Sequence, residues 1–132
     1  MQDFFDSARD GNISDVKKRL DDGVHKDSQD ENGDTALICA SDSGHEAVCE
    51  LLITRGCNVD MKDNGGWTAL MRASHNGHIP VVISLIEAGC DYSLRDKKGE
   101  SAMDILRERY PDKVKEVQVS RSPSAVVTHS LI

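Results

Sequence analysis

Glycine recurs along this chain at one fixed interval. Gly11, Gly44 and Gly77 are 33 residues apart, as are Gly23, Gly56 and Gly89, and again Gly33, Gly66 and Gly99. The same step of 33 relates Asp30, Asp63 and Asp96, then Thr35, Thr68 and Ser101, then Ala36, Ala69 and Ala102, then Leu37, Leu70 and Met103. A period of this size marks a chain that uses one supersecondary unit several times. Each unit is too small to bury its own apolar face and depends on stacking against its neighbours.

Within a unit, Asn32-Gly33-Asp34-Thr35-Ala36-Leu37-Ile38-Cys39-Ala40 reads as a turn, an N-capping Thr and a short helix of small and aliphatic residues. Residues 66–73 repeat that reading, with Trp67 at the place of Asp34. After Gly44-His45 and Gly77-His78 comes a second apolar pattern, with Val48, Cys49, Leu51, Leu52 and Ile53 in one unit and Val81, Val82, Ile83, Leu85 and Ile86 in the next. This predicts a second helix that Gly56 or Gly89 terminates. An extended loop then leads into the next turn. With one Trp, two Tyr and two Phe in the whole chain, the core must be aliphatic.

The period, the pattern D-x-x-G-x-T-A-L and the pattern G-H-x-x-V-V/C-x-x-L-I-x-x-G-C together resemble the ankyrin repeat, over roughly residues 2–117. The resemblance implies an all-α solenoid of stacked helix-turn-helix units linked by β-turn or hairpin loops. The expected division is an N-terminal capping repeat over 1–29, repeats over 30–62 and 63–95, a C-terminal capping repeat over 96–117 and a flexible tail over 118–132. Two departures stand out. Ala36 and Ala69 replace the family's usual Pro, and Ile38 and Met71 its usual His. Losing a pre-set φ and a turn hydrogen bond predicts a modestly stable stack, with no change of fold. At the N-terminal end, Asp15, Lys18 and Arg19 stand where Val48, Leu51 and Leu52 stand one unit later, as an uncovered terminal face requires.

Several function classes are poorly supported. Sixteen Lys and Arg against 23 Asp and Glu, a net charge of -7, speak against nucleic acid, whose phosphates need clustered cations. No Cys or Ser sits in a motif with a positioned base, and no Gly-rich phosphate loop occurs, so the chain is read as non-enzymatic and without a cofactor. The loop beginning Ser28-Gln29-Asp30 has a faint calcium-loop look but carries Ser28 and Cys39 at its first and twelfth positions, where Asp and Glu belong. His75 and His78 flank an interhelix turn rather than sharing a helix face, so no metal site is expected. Cys39, Cys49, Cys57 and Cys90 show no Cys-x-x-Cys pairing. Cys57 and Cys90 read as small core residues, and only Cys39 and Cys49 fall near enough for a fortuitous disulfide. The acidic start Met1-Gln2-Asp3 lacks an export signal, and no apolar stretch approaches the ~20 residues that span a bilayer. A monomer in the cytoplasm, or in the nucleus, is the expectation, with no membrane insertion.

Recognition of a partner protein remains. In the family the turn tips and first helices form a concave surface whose non-framework residues suit the partner. Here those positions are Arg9, Asp10, Glu31, Asn32, Asp34, Asp42, Ser43, Asn64, Trp67, Arg72, His75, Asn76, Lys97, Lys98 and Glu100. Trp67 is the sharpest. The surrounding pattern offers an indole just after a turn glycine no core role, and exposed aromatics anchor interfaces. Charge along the chain grades from ten acids and five bases in residues 1–34 to five acids and six bases in residues 97–117. That gradient points a basic part of a ligand toward the first units. Two other readings concern the last residues: Ser130-Leu131-Ile132 resembles the ending that PDZ domains capture as an added strand, and Ser122-Pro123 and Arg121-x-x-Ser124 resemble kinase sites. An adaptor that recruits a PDZ scaffold, or an inhibitory subunit of an enzyme, is therefore the alternative to a groove-binding scaffold.

Overall fold

A computed structural model describes residues 3–117. Helices α1 (Phe4–Asp10), α2 (Ile13–Asp21), α3 (Ala36–Ser43), α4 (Glu46–Thr54), α5 (Ala69–His75), α6 (Ile79–Glu87) and α7 (Ala102–Arg109) follow in order. A 3-10 turn at Pro111–Lys113 then runs into one helical turn over 114–117. α1, α3, α5 and α7 pack one on the next in an inner row, and α2, α4 and α6 form an outer row behind them. The result is the stacked helix-turn-helix solenoid the repeat implies. No helix among the described residues is long and apolar enough to cross a membrane.

Each inner helix starts the same way for the same reason. The hydroxyls of Thr35, Thr68 and Ser101 accept the amides of Ile38, Met71 and Asp104 at 3.1, 3.2 and 3.2 Å, which satisfies donors that a helix start leaves unpaired. The inner row is then close-packed through small residues, with Ala36, Ala40, Ala69 and Ala73 all at 0% exposure. Ile38 and Met71, the departures from the family's His, are 2% and 1% exposed and fill the core. The lost turn hydrogen bond is replaced by buried apolar surface, each such side chain contributing about 1.5–3 kcal/mol. In the outer row Val48, Leu52, Val82 and Leu85 are buried. α2 instead buries Val16 and pairs Lys17 and Lys18 with Asp21 and Asp22 on its outward side.

Adjacent repeats are also tied by hydrogen bonds at one register. The Asn58 amide donates to Asp27 Oδ1 and the Asp91 amide to Asp60 Oδ1, both at 2.8 Å. Between the two helices of a repeat, the ring of the next repeat lies over a glycine. His45 covers Gly11, His78 covers Gly44 and Tyr110 covers Gly77. Strict periodicity puts Pro111 after His78, yet the tyrosine one residue earlier supplies the ring.

Gly44 is needed twice over. Its φ of 81 is left-handed, and a Cβ there would lie 2.6–2.8 Å from the His78 imidazole. Gly99 has a similar φ of 84 but open space around it. Gly44→Ala should therefore lower the unfolding free energy by about 3 kcal/mol, combining the left-handed cost with overpacking, and Gly99→Ala by only about 1–2 kcal/mol. Urea unfolding of both variants checks this. Equal losses would show that the ring moves aside at no cost.

Candidate functional site

The repeated aspartates build the turns that carry the inner face. Asp30 Oδ1 accepts the amides of Asn32 and Asp34, each at 2.9 Å. Asp63 Oδ1 accepts those of Gly65 and Trp67 at 2.8 and 3.0 Å, and Asp96 Oδ1 those of Lys98 and Glu100 at 2.9 Å. Each turn is closed by a backbone pair at 2.9 Å, with the Asp30, Asp63 and Asp96 amides donating to the carbonyls of Asp34, Trp67 and Glu100. A short polar side chain thus holds two backbone amides locally, and the backbone pair closes the turn around it.

In the third unit the same carboxylate has a further partner. Arg72, one turn into α5, donates from its guanidinium to the buried Asp63 Oδ2 at 2.5 Å. Burial works against the Asp63 charge, but the Arg72 hydrogen bond and the Trp67 amide outweigh it and hold that carboxyl below the ordinary aspartate range. Arg72 also lies over the Trp67 indole, 5.0 Å from its centroid, while the His75 ring meets the indole edge-on at 5.2 Å. Both geometries suit the indole's negative face and positive edge. Trp67 is half-buried and rests against the core. This corrects the expectation that the indole has no packing role: it covers the turn and the start of the core, and presents the remainder of its surface outward.

Next to this arrangement Asp34 is poorly satisfied. Burial first, then the charges of Asp30 and Asp63, push its carboxyl up from 3.8 to about 6, against the pull of Arg72. Its Oδ1 is buried without a hydrogen-bond partner. Asp30, Asp34 and Cys39 bring one potential ligand atom each within 4.8 Å. The Asp30 carboxylate already holds turn amides, however, and the Arg9 guanidinium lies 3.3 Å from the Cys39 sulfur, so a cation of the protein occupies that position. Burial pushes the Cys39 and Cys57 thiols to about 12 and that of Cys49 to about 11, so none is a ready thiolate. Cys39, Cys49 and Cys57 are free thiols, and Cys57 is only half-buried, at the edge of the core rather than in it.

The surface residues expected from the sequence fall into groups. Trp67, His75, Lys98 and Glu100 line one recess of about 190 Å³ with Ile105, Glu108 and Arg109 of α7, and Arg72 adjoins it through the indole. Asn76 donates to the Asp42 carbonyl at 2.9 Å and its carboxylate at 2.8 Å, and His78 lies 3.0 Å from the same carbonyl. Asn64 donates to the Glu31 carbonyl at 3.0 Å, and Lys97 to the Asn64 carbonyl at 2.7 Å. Asn32 is exposed at the same edge and Ser43 half-buried at the end of α3. Arg9 and Asp10 lie at the end of α1, away from the recess, with Arg9 paired to Asp6 at 3.0 Å. The sequence reading missed Ile105, Glu108 and Arg109. The period held the signal, since they stand 33 residues after Arg72, His75 and Asn76. Arg109 further donates to the His75 carbonyl at 2.7 Å. Ser122, Ser124, Ser130, Leu131 and Ile132 lie outside the described residues.

A family model described as ankyrin repeats, in three copies, matches residues 4–96. No curated protein matches the chain.

The crowded carboxyls fix how stability responds to pH. Asp34 binds its proton more tightly folded, at about 6, than its ordinary 3.8, so its ionisation weakens the fold as pH rises from about 4 to about 6 and remains unfavourable above that. Asp63, held low, acts oppositely: its contribution is present above about 4 and lost as pH falls further. Asp34→Asn should raise the urea midpoint at about pH 7 and flatten the decline between about pH 4 and 6. Midpoints measured across that range check it, and an unchanged slope in the variant would show that Asp34 is not the titrating group.

Proposed function

The chain belongs to the ankyrin-repeat family, and on that premise we propose that it is a non-catalytic recognition module that holds one partner protein against its inner, concave face. Ankyrin repeats mediate protein-protein interaction; the partner, and whether the chain serves as a scaffold or as an inhibitor, belong to the proposal. What carries the reading is Trp67. Its indole is clamped by Arg72 and His75 and stands at the mouth of the recess that Ile105 and Arg109 complete. An aromatic group already fixed in place loses little freedom on binding and makes an efficient anchor. Asn76, which already has internal partners on Asp42, holds the rim in shape rather than waiting for a ligand. The end units are proposed to act as caps, and the module to work as a monomer.

Affinity capture from a cell lysate with the full chain, beside Trp67→Ala and a chain ending at Thr128, tests the reading. Trp67→Ala should weaken capture of the bound protein by about 2 kcal/mol or more, some thirtyfold in affinity, while the chain still unfolds cooperatively at somewhat lower urea. Truncation at Thr128 should leave capture intact. Loss only on truncation would instead favour a carrier of a C-terminal PDZ-binding motif. A Trp67→Ala chain that captures as well as the native one overturns the anchor role.

A further inference from the structure

Comparing equivalent inner-face positions from one repeat to the next reveals a polarity. At the hairpin tips the first position runs Glu31, Asn64, Lys97 and the second Asn32, Gly65, Lys98, and at the ends of the inner helices the run is Asp10, Ser43, Asn76, Arg109. All three move toward positive charge along the stack. Glu31, Lys97, Lys98, Asp10 and Arg109 are exposed. The tip row is held in line by the hydrogen bonds from Asn64 to the Glu31 carbonyl and from Lys97 to the Asn64 carbonyl, at 3.0 and 2.7 Å. The charges therefore change sign along a fixed edge. The register between them, Arg9, Asp42, His75, Glu108, starts with a cation and ends with a carboxylate, so the polarity belongs to the two rims of the surface rather than to its floor.

The two ends differ in kind as well as in sign. At the acidic end Asp34 keeps a buried carboxyl oxygen without a partner, beside Asp30. At the basic end lies a recess of about 190 Å³, room for one side chain, whose apolar walls are Trp67 and Ile105 and whose rim is His75, Lys98, Glu100, Glu108 and Arg109. Resting on the reading of this face as the binding surface, we propose that its occupant is an extended segment of a partner protein with charges of both signs. The segment is basic where it crosses α1 and α3, places one apolar side chain in the recess, and is acidic beside Lys97, Lys98 and Arg109. Four inner helices at about 10 Å spacing span about 30 Å, which about ten extended residues cover. The apolar anchor supplies most of the affinity, while the rim charges set direction and speed of association and exclude partners of uniform charge.

Synthetic peptides of about ten residues test this with the full chain. One carries lysines at one end and glutamates at the other around a leucine placed beside the glutamates; three controls flank the leucine with lysine only, glutamate only or serine only. The readouts are fluorescence of Trp67, the only tryptophan present, and NMR shifts of the amides of Glu31 and Lys98. At low ionic strength the two-signed peptide should bind at least about tenfold more tightly than any control, and added salt should erode that margin. Glu31→Lys should weaken its binding severalfold and strengthen that of the glutamate-only peptide, and Lys98→Glu should weaken it while favouring the lysine-only peptide. A single-signed or uncharged peptide that binds equally well overturns the inference and leaves groove binding standing. If no peptide perturbs Trp67 or the two amides, the inference is overturned as well, and capture by the full chain decides the binding reading on its own.

Discussion

No helix pair in this chain can bury its own apolar side, so the contact between successive repeats is the constraint from which the rest follows. A seven- or eight-residue helix such as α5 or α3 is marginal in water by itself. It persists because the inner row brings Ala36, Ala40, Ala69 and Ala73 to complete burial and lets Leu37, Leu70, Ile38 and Met71 interlock behind them. The alanines set the approach distance and the larger side chains fill the space that remains. The same requirement explains the rings over Gly11, Gly44 and Gly77, where one repeat lies so close to the next that no side chain fits at the glycine. It also explains Tyr110, which maintains that contact for the last helix pair although it stands out of register with His45 and His78.

The elements most legible in the sequence are those that every unit must repeat. Thr35, Thr68 and Ser101 cap helices, and the nine glycines in register are the nine with positive φ, whereas Gly65, outside the register, is not among them. Backbone conformation and capping are local demands, so a local pattern reports them. The replacement of His by Ile38 and Met71 is visible in the sequence, but that the loss of one polar contact comes with a gain in burial is not.

The candidate site was less legible because it depends on which way side chains turn when repeats differ. Position 63 reads as one more turn aspartate, and nothing in the period reveals that its second oxygen binds Arg72 or that Arg72 then covers Trp67. The indole is visible as an exception to its register, between Asp34 and Glu100, but its half-buried placement follows from the core it rests on and from the cation and imidazole packed against it. Likewise Ile105, Glu108 and Arg109 fall within the C-terminal capping repeat expected over 96–117, while their distance of 33 from Arg72, His75 and Asn76 places them on the same surface.

That one difference between repeats also decides where the molecule is least settled. At the register of Arg72 the preceding unit has Cys39 and the following one Ile105, so only the third repeat can answer its buried turn carboxylate with a cation. The charge of Asp63 is thereby favoured, and Asp34 from the unit before faces it and Asp30 with one oxygen unpartnered. The Arg72–Asp63 pair orders Trp67, while the strain on Asp34 comes first from its burial and from Asp30, with Asp63 adding to it and Arg72 relieving part of it. The unpartnered Asp34 oxygen is a cost that an apolar group of similar size would not carry. The crowding of Asp30, Asp34 and Asp63 ties the acidic part of the surface to the same turn chemistry that builds the fold.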